Sequence, residues 1–107
     1  MTEEAISWQK KYEWKRTWPG ERDLNDAPLE DYSCFDGQYA GRIRLEMQEM
    51  MKGQWHWAGA YPKPMRGSPI MPKAGYCATF AEAAKAVEDY WDSMKARAAG
   101  SVDPPAT

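Results

Sequence analysis

Residues 42–47 alternate apolar and polar side chains, and this pattern constrains the fold more than any other stretch of the chain. Apolar residues at every second position predict a β-strand with one buried face. The predicted buried face holds Ile43, Leu45 and Met47, and the predicted solvent face holds Arg42, Arg44 and Glu46. A strand with two such faces needs partner strands and a covering layer, so the stretch predicts a sheet with one side packed.

Two further stretches predict the partner strands. Residues 54–61 alternate again and place Trp55, Trp57 and Tyr61 on one face. Upstream, strand-forming residues precede the dipeptide Asp36-Gly37, which is a strong signal for a hairpin turn. We therefore predict an antiparallel sheet of three strands, at about 32–35, 38–47 and 54–61.

The C-terminal third of the chain predicts one helix, at about 80–99. Thr79 and Glu82 have the spacing of a capping box, which marks a helix start. Downstream, an apolar stripe recurs at helical spacing through Phe80, Ala84, Val87, Trp91 and Met94. The predicted polar side, in water, includes Glu82, Lys85, Glu88, Asp89, Asp92 and Lys95. The predicted fold is thus α+β, with the sheet packed on this helix and its reverse face open.

The segments that flank this unit give weaker signals. Residues 1–30 combine an arm of interleaved aromatic and cationic residues, at about 7–18, with an acidic loop. The period of the arm does not distinguish a helix from a strand, and we expect a short helix or an irregular arm with an extended end, because Trp18 precedes Pro19. Residues 31–99 then form a single ββ-β-α domain. Gly100 suits a helix C-cap, and residues 100–107 predict a disordered tail.

Composition excludes several classes of protein. The chain has 107 residues and a formal net charge of −2, which fits one domain and argues against binding nucleic acid mainly through charge. No stretch has the length of apolar residues that a membrane span or a signal peptide needs, so we expect a cytoplasmic protein. Cys34 and Cys77 lie far apart without a metal-binding motif, which predicts buried thiols rather than zinc ligands or a disulfide framework.

Aromatic content and charge distribution leave a question open. Six tryptophans and six tyrosines in so short a chain either fill a small core or form an interface. Residues 21–36 hold six acidic residues against one arginine, and residues 37–75 hold six cations against two glutamates. The acidic run fits a solvated loop, a charge mimic or a docking surface, and the two segments can also neutralise each other.

No set of residues points to catalysis. His56 is the single histidine, and a general base or metal site would need partners that the sequence does not place near it. The glycine pairs belong to no phosphate-binding loop or nucleophile elbow. We therefore expect a protein that is not an enzyme and has no catalytic, cofactor or metal site. The candidate partner-binding residues are Arg42, Arg44, Lys63, Arg66, Trp14 and Trp18.

Two functions compete on these residues. The first is a non-enzymatic protein-binding or regulatory module that uses the open sheet face, the proline-rich loop of residues 62–75 or the aromatic arm. The second is a nucleic-acid-binding protein in which the cations contact phosphates and aromatic rings stack on bases. The two differ in salt dependence, because phosphate contacts weaken steeply as salt rises. The sequence does not settle the oligomeric state.

A set of short motifs resembles a group of small uncharacterised proteins of alphaproteobacterial and phage type. The motifs are Asp31-Tyr32, Asp36-Gly37, Gly41-Arg42-Ile43, Trp55-His56-Trp57, Ala78-Thr79 and Glu82-Ala83 followed by Trp91. The resemblance implies a Gly-Arg-Ile strand, a Trp-x-Trp strand and a closing Glu-Ala helix, in a bacterial or mobile-element protein. It brings no established activity. Together with the acidic run, it suggests a third function, an inhibitor of host defence encoded by a mobile element.

Overall fold

The computed structural model describes residues 9–47, 50–63 and 68–100 of the chain. They form a five-stranded antiparallel sheet and one C-terminal helix. Each strand pairs with its neighbours in chain order, from β1 to β5. The elements are β1 (Glu13–Arg16), β2 (Asp31–Phe35), β3 (Tyr39–Leu45), β4 (Trp55–Gly59), β5 (Ala74–Cys77) and α1 (Phe80–Gly100).

The α+β class and the packing of the sheet on a C-terminal helix confirm the sequence-based prediction, but the number of strands was wrong. The three predicted strands are present as β2, β3 and β4, the latter two shorter than predicted. The arm contains a strand, β1, in place of the predicted short helix or irregular segment, and Trp14 of β1 pairs with Cys34 of β2. The segment after the proline-rich loop adds β5, where Gly75 pairs with Trp57. Both added strands have four residues and lie at the edges of the sheet, so neither shows a sustained alternation.

The predicted capping box begins α1. The backbone N–H of Glu82 donates to Thr79 Oγ1 at 3.1 Å, and the backbone N–H of Thr79 donates to Glu82 Oε1 at 3.2 Å. The helix includes Gly100, one residue beyond the predicted end. The predicted tail otherwise lies outside the described residues. No helix in the described part of the chain is long and apolar enough to cross a membrane.

The core lies between α1 and one face of the sheet. The helix contacts β3, β4 and β5. The fully buried apolar residues are Cys34, Ala40, Ile43, Ala83, Ala84, Val87, Trp91 and Met94. Trp55 and Trp57 pack partly buried against them. Both cysteines are free thiols, and burial raises the pKa of Cys34 to about 12, so this thiol behaves as a small apolar side chain. Most of the aromatic residues therefore serve the core.

The end of β3 departs from the predicted alternation. Met47 was expected inside and Glu46 in water, but Met47 is exposed and Glu46 is buried. The strand ends at Leu45, and the backbone of Glu46 then pairs with Gln54 and Gly53 in the turn to β4. Glu46 keeps to the side of Arg44, whose Nη1 donates to Glu46 Oε1 at 3.2 Å, so its burial does not come from a change of face.

Two glycines bring α1 close to the sheet. Gly41 and Gly59 pair directly across β3 and β4 and face the helix. A Cβ atom on Gly59 would lie 2.2 Å from Tyr90 Cδ2, and one on Gly41 would lie 2.5 Å from Val87 Cγ1. Side chains at these positions would occupy the space that the helix fills.

Candidate functional site

The face of the sheet opposite α1 carries polar and aromatic side chains, and we call it the open face. Its side chains follow from alternation, because the neighbours of the buried residues Cys34 and Ile43 point to the other side. The strand register aligns two rows across it. The first row is Ser33, Arg42, Ala58 and Ala74, and the second is Asp31, Arg44, His56 and Tyr76.

Arg42 lies near the middle of the open face and forms a bidentate ion pair with Asp31. Its Nε donates to Asp31 Oδ1 at 2.8 Å and its Nη2 donates to Asp31 Oδ2 at 2.6 Å. Asp31 is buried. Burial by itself raises the pKa of this carboxyl, but its hydrogen bonds, foremost those with Arg42, outweigh burial and hold the pKa below its ordinary value. The guanidinium also lies 5.8 Å from the centroid of the Trp18 ring, within the range of a cation–π contact.

Arg44 and His56 form the neighbouring part of the open face. Arg44 Nη1 donates to Glu46 Oε1 at 3.2 Å, and the Glu46 side chain is buried. Burial first, and the positive charge of Arg44 second, lower the pKa of His56, so its imidazole is neutral at neutral pH. The His56 ring meets Tyr76 edge to face, with centroids 5.0 Å apart. His56 therefore packs as a strand residue, and no cluster of three metal-ligating side chains occurs within the described residues.

A groove of about 410 Å³ lies at one end of the open face, where β3 begins, β4 ends and β5 begins. Small residues of β4 and β5 line part of it, including Ala58 and Ala74. Two tyrosines, Tyr39 and Tyr61, line another part. The polar lining residues are Gln38, Lys63 and Lys73. A second cavity of about 90 Å³ between Arg42, Arg44, His56 and Ala58 is far smaller.

Four of the six candidate residues lie on or next to the open face. Arg42 and Arg44 belong to it, Trp18 packs over Arg42, and Lys63 lines the groove. Arg66 lies outside the described residues. Trp14 lies on the opposite face, half-buried, with its Nε1 donating to Glu88 at 3.0 Å. It follows the side of its strand partner Cys34, which packs in the core.

Sequence reasoning missed three residues of this region: Tyr39, Tyr76 and Lys73. Tyr76 lies in β5 and Lys73 directly precedes it, and neither could be placed because the sequence predicts a loop in this segment. Tyr39 follows the hairpin turn, where the register shifts between Cys34 and Phe35. The one available signal was the aromatic character of the two tyrosines, which alone does not distinguish a core from an interface.

The acidic run of residues 21–36 is partly used inside the molecule. Asp23 accepts hydrogen bonds from the backbone N–H groups of Asn25 and Ala27 within the loop. Asp36 accepts from Trp91 Nε1 at 2.8 Å and from Lys95 at 2.9 Å. Asp31 binds Arg42, Glu30 accepts from the Tyr32 hydroxyl at 2.7 Å, and Asp26 lies 3.8 Å from Arg22. Internal contacts thus involve five of the six carboxylates that a charge mimic would present.

Glu88 corrects the predicted polar side of the helix. It was expected in water, but it is fully buried. Its carboxylate accepts the backbone N–H of Lys11 at 3.0 Å, the backbone N–H of Tyr12 at 3.1 Å and Trp14 Nε1 at 3.0 Å. Because β1 and the residues before it pack against this edge of α1, a side that looks solvated in the sequence lies in the interior.

The next turns of α1 continue this contact. Asp92 accepts hydrogen bonds from Lys11 Nζ and from the Tyr12 hydroxyl. Lys95 binds Asp36 and lies 5.0 Å from the centroid of the Tyr12 ring. The arm thus holds to the helix through polar groups, and we assign this cluster to the stability of the fold rather than to a site.

No protein-family model, no curated protein and no solved structure matches the chain. The resemblance inferred from short motifs therefore stays a prediction.

We expect that Arg42→Met destabilises the protein by about 2 kcal/mol at neutral pH, because a buried carboxylate then lacks its main partner. The folded-state pKa of Asp31 is lowered, so the stability that this pair contributes is present above the ordinary pKa of about 3.9 and is lost as pH falls below it. The effect of Arg42→Met should therefore shrink in acid. Urea unfolding of the wild type and of the variant, at neutral pH and at a pH below the ordinary pKa of Asp31, measures this difference.

The exposed pair of Arg22 and Asp26 supplies the control for this experiment. Arg22→Met should change the free energy of unfolding by less than about 0.5 kcal/mol. Asp31→Asn combined with Arg42→Met should recover part of the lost stability, since no charge is then buried. An equal effect of the two arginine substitutions would show that the Asp31 pair does not hold the strands.

Proposed function

We propose that the protein is a non-enzymatic binding module that engages a protein partner through its open face. One observation carries the proposal: three large aromatic side chains remain exposed on or beside the open face, and one of them, Trp18, lies against the fixed side chain of Arg42. Trp18 is 48% exposed, Tyr39 is 47% exposed and Tyr76 is 43% exposed, although most other aromatic residues pack against the core. Exposure of these aromatic side chains to water does not stabilise the fold, which favours a role in binding.

The chemistry of this surface supports a protein interface. Tryptophan, tyrosine and arginine are the residue types that contribute most to binding energy in interfaces. Arg42 is already held by Asp31 and by the Trp18 ring, so little side-chain freedom is lost when a partner contacts it. Its remaining N–H groups can donate to backbone carbonyl groups of a partner. The surface thus offers rigid aromatic area together with an oriented donor.

Charge argues for a protein rather than a nucleic acid. Both arginines of the open face are paired with buried carboxylates, Arg42 with Asp31 and Arg44 with Glu46. Lys15, which projects from β1, lies 3.6 Å from Glu13. Nucleic-acid binders that depend on charge make about 6–10 phosphate contacts. Because Arg42, Arg44 and Lys15 each lie against a carboxylate, this face offers fewer such contacts, and the nucleic-acid function is the alternative that the experiment below must exclude.

The test measures how much the affinity for a partner protein falls when the exposed tyrosines are replaced. A lysate of the source cells, treated with nuclease, is passed over the immobilised protein, and the recovered protein is purified and titrated by calorimetry. We expect Tyr39→Thr and Tyr76→Thr each to weaken this binding by about tenfold or more. Threonine suits a strand, so the sheet is retained.

Leu24→Ser is the matched control, because Leu24 is a fully exposed apolar residue in the loop before β2. It should leave the affinity within about twofold of the wild type, a difference of under 0.5 kcal/mol. A partner that binds all variants equally would contradict the proposal. Binding that instead requires nucleic acid and falls steeply with salt would assign the face to the alternative function.

A further inference from the structure

We propose that the groove at the end of the open face binds an acidic segment of the partner protein, with an apolar or aromatic side chain inserted and carboxylates facing Lys63 and Lys73. This inference rests on the proposed function and specifies the chemistry of its partner. It follows from the lining of the groove, from its charge and from how the two lysines are held.

The apolar part of the groove fits an inserted side chain. Its volume of about 410 Å³ lies in the range of about 300–1,000 Å³ that is typical of ligand pockets. Alanines at positions 58, 60 and 74 leave the space open, because no long side chain of β4 or β5 fills it. Tyr39 and Tyr61 add ring surface, and burial raises the pKa of Tyr39, so that its hydroxyl stays protonated and can donate.

The charge of the groove is of one sign. Lys63 and Lys73 line it, and no acidic residue does so within the described part of the chain. Neither lysine forms an ion pair among the described residues, unlike the two arginines of the open face. A partner segment with carboxylates would therefore meet uncompensated ammonium groups, which favours encounter and fixes the orientation of the segment.

The backbones of both lysines are held while their ammonium groups remain available. The backbone N–H of Lys63 donates to Gln38 Oε1 at 3.0 Å, and the carbonyl of Lys73 accepts the backbone N–H of Gly59 at 2.8 Å. These bonds attach the two ends of the proline-rich loop to the turn before β3 and to the end of β4. The side chains of the two lysines thus extend from fixed backbone positions at the two ends of the loop.

Two cations suit a short acidic segment better than a polyanion. Each additional phosphate contact requires a further cation along a backbone track, and the described residues of the groove supply two. The apolar lining between them requires an occupant that combines carboxylates with an apolar side chain. A peptide with a tryptophan flanked by glutamates has this chemistry.

Fluorescence anisotropy with labelled peptides tests the inference on the full chain. The probe is a short peptide with one tryptophan flanked by glutamates, and its matched forms replace the tryptophan with alanine or the glutamates with lysine. We expect both matched forms to bind at least about tenfold more weakly. Lys63→Glu and Lys73→Glu should each weaken binding of the acidic probe by a similar factor, and added salt should weaken it further.

Lys52→Glu is the control, since Lys52 is an exposed cation in the turn between β3 and β4. It should change the affinity by less than about twofold. If the natural partner loses affinity on Tyr76→Thr but not on Lys63→Glu or Lys73→Glu, the groove inference is wrong and the proposed function stands. If a single-stranded oligonucleotide binds more tightly than the acidic peptide in a lysine-dependent way, the groove inference is wrong in favour of a nucleic acid.

Discussion

Replacement of Glu88 by alanine is expected to lower the free energy of unfolding by about 3 kcal/mol, because buried donors left without an acceptor cost about 1–3 kcal/mol each. The carboxylate accepts from the backbone of Lys11 and Tyr12 and from the Trp14 side chain, and it is fully buried. Its loss removes the main polar contact between α1 and the arm. Urea unfolding measures the change, and hydrogen exchange at β1 locates it.

The next residue along the helix supplies the control. Asp89 is exposed and pairs with Lys85 one turn away, so Asp89→Ala should cost less than about 0.5 kcal/mol. Glu88→Gln should fall between the two, because one oxygen still accepts while the new amide N–H₂ group faces other donors. Equal effects at the two positions would show that the buried carboxylate does not hold the arm.

The misplacement of Glu88 has a physical reason. A helical pattern reports which residues share a side of the helix, but not which further segment covers that side. Glu88, Asp92 and Lys95 recur at helical spacing and look like a solvated stripe beside the apolar one. The arm before β1 and the β2–β3 turn cover this stripe, and both contacts join residues far apart in sequence.

Features that local interactions specify were predictable. The hairpin at Asp36-Gly37, the capping box at Thr79 and the apolar stripe of the helix are each set by residues within a few positions of one another. The structure contains all three, except that Phe80, the first residue of the predicted stripe, is exposed. β1 and β5 depend instead on pairing with strands already formed. Four residues at a sheet edge carry too little pattern to specify a strand alone.

In the candidate site too, local pattern predicted some features and tertiary pairing determined the others. Alternation within β3 was sufficient to place Arg42 and Arg44 on one face. That Asp31 would neutralise Arg42 could not be read from the chain, since it requires the antiparallel register of β2 and β3. The groove requires β5 as well, because Ala74 and Lys73 complete its lining. Sequence therefore indicated which residues belong to the surface, and tertiary pairing determined its charge and shape.

Gly59→Ala is expected to destabilise the protein by about 3 kcal/mol, the upper end of what overpacking by one methyl group costs. The new Cβ would lie 2.2 Å from Tyr90 Cδ2, and the Tyr90 side chain cannot simply swing away, because its hydroxyl donates to the carbonyl of Ile70 at 2.7 Å. The helix would have to lift from β4. Thermal and urea unfolding of the single variant measure the loss.

Two further variants separate this steric effect from backbone strain. Gly20 has a positive φ of 86° and open space around it, so Gly20→Ala should cost only about 1 kcal/mol, from conformation alone. Tyr90→Leu removes the ring that the methyl group meets. If the close approach of α1 is the cause, Gly59→Ala combined with Tyr90→Leu should be more stable than the sum of the single effects by about 1 kcal/mol or more. Strict additivity would place the cost of Gly59→Ala in the strand itself and would mean that the glycine pair does not determine how close the helix lies.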